Sequence, residues 1–353
     1  MPSRTAAADK IKARLDALTA LRSGGALNDV ASNYTQLRAF GRAGRKVNAV
    51  RLRRTYVRHD VPRPVDRERN GLPRDEQPPA ARLIAPRGVA GRLHLILLFA
   101  AHCQAAPGRQ WPNRIPIEPD STQRLSWMGL IGAHARHTPG GRRVASPRVN
   151  KSRQITEALK KLRDQHLLEF PNAGTSRPFQ DFRLLCDSGA STDAAPIPYK
   201  VPRAEAPGID VPVEFFTCGW VNLLTPSETV AYLMWLDVTQ NPEHDEPYVT
   251  GIERAGHFGL GRDAYETHET LEAFGLIDVE PALLRHEDGK YTDYSAEGGS
   301  PICHRVTLTD GITRNAAEAI EPVLRQYAAT GRWGRPLSSL SDLAASLGIR
   351  IPS

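Results

Sequence analysis

The chain has 353 residues, an apolar share of 40% and a formal charge of +7, so it is long enough for two or three domains and apolar enough to bury a core. That composition excludes a disordered polymer. The longest apolar run, Leu93 to Ala101, is interrupted by His94 and is too short to span a bilayer, and no apolar signal core follows the N-terminal charges.

The expectation is therefore a cytoplasmic protein with no membrane partner. Cys103, Cys186, Cys218 and Cys303 lie far apart without paired spacing, which indicates neither a zinc site nor a disulfide framework. The charge is unevenly spread. Residues 1–90 hold 19 Lys and Arg against 8 Asp and Glu, residues 91–190 hold 15 against 7, and residues 191–353 hold 12 against 24. A basic first half points to a polyanion at that end, because neutralising phosphates releases counterions; a merely solubilising surface is the plainer reading.

Taken in chain order, residues 4–22 carry Ile11, Leu15, Leu18 and Leu21 at helical spacing before a stop at Ser23-Gly24-Gly25, giving an apolar stripe suited to docking or dimerisation. Residues 36–58 are rich in arginine, including Arg51, Arg53, Arg54 and Arg58, and read as a basic arm that tracks phosphates or stays solvated. The expected divisions are an N-terminal helix and arm over 1–58, then a flexible Pro- and charge-rich linker over 59–88. Val89 to Gln104 reads as a buried helix, Gln123 to Ala135 as a short second helix, and residues 138–146 as a glycine-broken turn.

Ser146 and Pro147 then signal the start of a third helix, as N-cap and first-turn proline. With Ile155, Leu159 and Leu162 turned inward, its outward side chains include Asn150, Arg153, Gln154 and Glu157. Arginine matches the two acceptors of guanine, and Asn or Gln the acceptor and donor of adenine. Arg142, Arg143, Arg148, Lys151, Lys160 and Lys161 are expected on phosphates. A strand to Phe170, a turn at 171–177 and a strand at 181–186 complete a hairpin whose tip offers Arg177.

Residues 191–212 read as a linker. A second unit over 213–312 repeats the order. Thr225, Pro226 and Glu228 open a long helix, Thr250 to Gly256 is short, and Arg262 to Phe274 is the third helix, presenting Arg262, Tyr265 and His268. Its turn, 286–300, holds four carboxylates against one lysine, which repels phosphate and favours self-association or a protein partner through this acidic half. Residues 313–353 are expected to add C-terminal helices.

Helix, helix, helix, strand, wing, strand is the order of a winged helix-turn-helix, whose third helix enters the major groove. The fold class expected is mainly α with small β-hairpin wings (α+β): two tandem winged helix-turn-helix domains plus a basic N-terminal arm. Over roughly residues 90–310 the chain resembles two-winged-helix plasmid replication initiators and, more loosely, winged-helix transcription regulators. That resemblance implies that one unit reads origin repeats in DNA while the other dimerises or makes a second contact.

No catalytic residue, metal or cofactor is expected. His134-Ala135-Arg136-His137 lacks the single intervening residue of a relaxase pair, and Gly256 to Gly261 lacks the lysine and preceding buried strand of a phosphate loop. The expected function is sequence-specific duplex-DNA binding, as a regulator or replication initiator and not an enzyme. The alternative is a protein–protein adaptor that assembles through both units.

Overall fold

Helix α1 (Arg4–Ser23) stops at Gly24 and Gly25, and α2 (Ala26–Ala39) starts directly after them. The computed structural model describes residues 4–39, 47–65, 71–85, 88–119, 125–132, 146–175, 178–241, 247–280 and 304–334. Strand β1 (Ala49–Arg53), the single turns α3 (Arg54–Val57) and α4 (Pro79–Arg82), and the long α5 (Ala90–Gln104) come next. After α6 (Trp127–Leu130) and α7 (Pro147–Asp164) the chain forms a hairpin of β2 (Leu168–Glu169) and β3 (Arg183–Leu184).

Strand β4 (Gly208–Pro212) leads into α8 (Glu214–Thr217), α9 (Trp220–Leu223) and α10 (Pro226–Gln240). The second half continues with α11 (Gly251–Phe258), α12 (Arg262–Tyr265), α13 (Thr267–Ala273), the paired strands β5 (Ile277–Glu280) and β6 (Arg305–Leu308), and α14 (Ala316–Thr330). The described residues are thus mainly helical, with small antiparallel two-stranded sheets.

Local chemistry accounts for the helix starts. Ser146 Oγ accepts from the Val149 backbone N–H at 3.3 Å, and Thr225 and Glu228 cap each other's backbone at 3.2 and 2.8 Å. α5 is buried nearly all round, from Leu93 through Cys103, so it serves as a central post rather than an amphipathic surface helix. α7 packs on α5 in the first half of the fold, and α13 packs on α10 in the second.

The two halves also share one helix ending. At the end of α7 the Leu167 N–H reaches back to the Leu162 carbonyl at 2.9 Å across His166, whose φ is 56°. At the end of α13 the Leu276 N–H reaches the Leu271 carbonyl at 2.9 Å across Gly275, whose φ is 75°. Both are left-handed caps that turn the chain straight into a strand.

Three expectations need correction. First, the described part of the basic arm is not an arm. β1 pairs antiparallel with β4 from Ala49 opposite Pro212 to Arg53 opposite Gly208, and Val50, Leu52, Ile209 and Val211 are buried at alternate positions. A side chain at position 208 would meet the Leu52 carbonyl at 2.5 Å, so only glycine permits this pairing.

The expected linkers 59–88 and 191–212 therefore contain core. Leu72, Ala80, Ala81 and Leu83 are buried, and the His59 and Arg63 N–H groups bond to the His257 and Gly256 carbonyls on α11 at 2.8 and 3.0 Å. Residues 40–46, 66–70 and 86–87 lie outside the described residues.

Second, the apolar stripe of α1 is not a docking face. Ile11, Leu18 and Leu21 are buried, and α1 packs along α14 with Arg22 paired to Glu321. Third, the expected helix 262–274 is two short helices broken at Glu266, where the Thr267 hydroxyl donates to the Ala264 carbonyl at 2.6 Å.

Several arginines of the N-terminal segment pair with carboxylates from much later in the chain. Arg14 grips Glu228 with two bonds of 2.7 and 2.8 Å, and Arg51 meets Asp210, its partner across the ladder, at 2.7 Å. Arg53 pairs with the fully buried Asp187, which also accepts the Arg53 backbone N–H at 3.0 Å. Arg54 and Arg58 converge on the fully buried Asp237 of α10 at 2.9 and 3.4 Å.

His102 ties the same strand to α5. Its Nε2 accepts from the Arg51 backbone N–H at 3.1 Å, so its proton sits on Nδ1, which donates to the Leu98 carbonyl at 2.8 Å. The uneven charge along the sequence is thus in good part an internal fastening between its ends.

Candidate nucleic-acid interface

α7 is 18 residues long, or roughly 27 Å at the usual rise per residue. Its side toward α5 is sealed by Ile155, Leu159 and Leu162, all fully buried. The exposed stripe runs through Val149, Arg153 and Glu157, four residues apart, with Arg148 exposed to one side at the helix start and Arg163 near its end. Val149 is 56% exposed, unusual for a large apolar residue, and lies one turn before Arg153.

Arg153 is exposed and makes no ion pair with any described residue. Its neighbours are partly neutralised: Arg148 pairs with Glu118 at 3.0 Å, Lys160 with Glu157 at 2.9 Å, and Arg163 with Asp164 at 2.9 Å. These are exposed pairs, which exchange readily for a phosphate.

Other sequence-predicted contacts are not on this stripe. Gln154 faces inward: its Oε1 is buried without a hydrogen-bond partner, in the wall of a cavity shared with α1 and α14. Lys151 is held below the ordinary lysine value by burial, with Asp29 of α2 nearby. Lys161 is likewise pushed down by burial, next to Arg74. Asn150 is half-buried at the stripe's edge.

Different neighbours stand beside that flank of α7: Asp29 of α2 near Lys151, Arg74 near Lys161, and residues of α1 and α14 across the cavity that Gln154 lines. Lys151, Gln154 and Lys161 are thus each half-buried rather than fully open on the outward face expected for them. Arg142, Arg143 and Arg177 lie outside the described residues, as do His134 and His137.

In the second half, Arg262 is exposed on α12 and pairs with Glu266 at 3.0 Å, while His268 sits half-buried on α13 with its ring 6.3 Å from that of His304. The side chain of Tyr265 and residues 281–303, including the acidic turn, lie outside the described residues. Arg262 and His268 stand on different helices, so the single reading face expected over 262–274 is not formed. Asp263, Glu266, Glu269, Asp278 and Glu280 are exposed around them.

Comparison with protein-family models, curated proteins and solved structures finds no match to this chain. Among the described residues, no helix is long and apolar enough to cross a membrane. Sequence reasoning missed one group near α7 altogether. Arg92, on the first turn of α5, is largely buried, and the described partners of its guanidinium are backbone carbonyls. An arginine opening an otherwise apolar helix is the signal that pointed to it.

Proposed function

We propose that this chain is a sequence-specific duplex-DNA-binding protein made of two tandem winged helix-turn-helix units, with α7 as the contacting helix and a role in transcription control or replication initiation. The observation that carries this reading is the exposed stripe of α7, where Arg153, with no ion pair among the described residues, stands between Val149 and Glu157 on a capped helix that leads directly into a hairpin. Such a helix is the right size for a major groove about 12 Å wide. The shared left-handed caps after α7 and α13 support the tandem arrangement.

Carboxylates around α12 and α13 make the second unit the weaker DNA contact and suit it to association with a second copy or a protein partner. One observation favours the adaptor reading instead: three of the cations on or beside the stripe already have carboxylate partners.

A salt titration of binding to random duplex separates the two. Each phosphate contact contributes about 0.9 to the log–log slope, so contacts from Arg148, Arg153, Lys160 and Arg163 predict a loss of about a hundredfold between 50 and 200 mM salt. An adaptor shows no duplex binding to lose. Fragments selected from a random pool then give the site, against which Arg153→Ala costs about 1–3 kcal/mol at one base pair. Equal weakening on every sequence instead puts Arg153 on a phosphate.

A further inference from the structure

A cavity of about 350 Å³ lies where α1 and α14 meet the start of α5, the N-terminal end of α10 and the inward flank of α7. Leu18, Leu21, Ile320 and Leu324 give it an apolar wall, and Arg92 and Gln154 are its unbalanced polar groups. Arg14 also lines it but is held by Glu228 in a two-bond pair, so those two charges cancel.

Arg92 has no such partner. It donates to the Gly132 carbonyl at 3.1 Å and lies 3.4 Å from the Leu224 carbonyl, and no carboxylate among the described residues meets it. Burial, with the charge of Arg14 acting in the same direction, pushes this guanidinium down to about 10, so it stays charged at neutral pH. The N-terminal end of α10, at Thr225 and Pro226, adds further positive potential to the wall.

Gln154 supplies the complementary defect: its Oε1 is buried without a donor. Buried polar groups in folded proteins are nearly always paired, and small-ligand sites are apolar cavities of roughly 300–1,000 Å³ with a few such groups.

We propose that this cavity binds a small monocarboxylate with an aliphatic body and a neutral hydrogen-bond donor, as in an aliphatic hydroxy acid. The carboxylate meets Arg92, the hydrocarbon packs on Leu18, Leu21, Ile320 and Leu324, and the donor reaches Gln154 Oε1. A single negative charge matches Arg92, the cation of the lining with no carboxylate partner among the described residues, whereas a dianion leaves an uncompensated charge in an apolar wall. The site stands whether or not α7 meets DNA.

Calorimetry and thermal unfolding on the full chain, without DNA, test it with 2-hydroxy-4-methylpentanoate, hexanoate, isoamylamine and inorganic phosphate. The expected result is saturable binding and a raised Tm for the carboxylates, strongest for the one with a donor, and none for isoamylamine. Arg92→Met weakens carboxylate binding about ten- to a hundredfold.

Should that variant fail to fold, Gln154→Leu serves: hexanoate binding persists while 2-hydroxy-4-methylpentanoate falls to the level of hexanoate. No binding of any carboxylate, equal binding of the amine, binding of phosphate alone, or unchanged binding by both variants overturns the proposal. Since DNA enters none of these measurements, their failure leaves the reading of α7 where it was.

Discussion

Asp237→Ala lowers the free energy of unfolding by about 3–5 kcal/mol, measured by urea denaturation at neutral pH, the loss expected when one partner of a buried ionic cluster is removed. Asp237 is fully buried on α10, with Arg54 at 2.9 Å and Arg58 at 3.4 Å. Burial pushes its carboxyl above the ordinary range, and the two guanidinium groups pull it back down. Alanine removes the charge that both arginines are oriented to meet and leaves two cations in a partly dry site.

The same change also loosens α3 from α10 and hence the end of β1. By contrast, Arg153→Ala, at an exposed position with no described ion pair, changes stability by no more than about 0.5 kcal/mol. A loss below about 1 kcal/mol for Asp237→Ala would mean that Arg54 and Arg58 reach water in the folded protein, and the fastening described above would be wrong.

Acid destabilises this protein through His94. That ring is fully buried on α5, its Nδ1 lies 3.1 Å from the Tyr56 hydroxyl, and its Nε2 has no partner. Burial pushes it from 6.5 down to about 3. Below pH 6.5 the unfolded chain takes up a proton here, while the folded chain does so only near pH 3, so stability falls as pH falls across that window.

The slope from this one group is about 1.4 kcal/mol per pH unit. Urea midpoints measured between pH 7.5 and 5 should decline, and His94→Gln should flatten the decline by that amount even though it lowers stability at pH 7.5. Parallel curves for the two proteins would show that His94 is not kept neutral by the fold.

How much of this was legible in the sequence follows from what each residue reports. Ser146-Pro147 and Thr225-Pro226 announce α7 and α10 because capping is a local matter settled within four residues. The repeated Leu167-Leu168 and Leu276-Ile277 after a left-handed residue likewise mark both turns into strand. β1 is masked in the sequence because Val50 and Leu52 alternate with Arg51 and Arg53, so a two-residue alternation sits inside a run of positive charge. α2 carries Val30, Tyr34 and Leu37 at helical spacing, a signal present but passed over.

The candidate interface was half legible. Periodicity places Ile155 and Arg153 correctly on opposite sides, but it cannot show that the flank bearing Lys151, Gln154 and Lys161 is half-buried. A carboxylate inside the apolar run before Val238, and another just after Cys186, were the sequence's notice that arginines elsewhere were already engaged.

The ladder between Ala49–Arg53 and Gly208–Pro212 also governs how the chain is made. A ribosome releases the first of these strands long before its partner exists, so the opening stretch must wait while the whole first unit emerges and α5 collapses without its final neighbours. Long-range pairing of this kind slows folding and leaves apolar strand edges exposed in the interval.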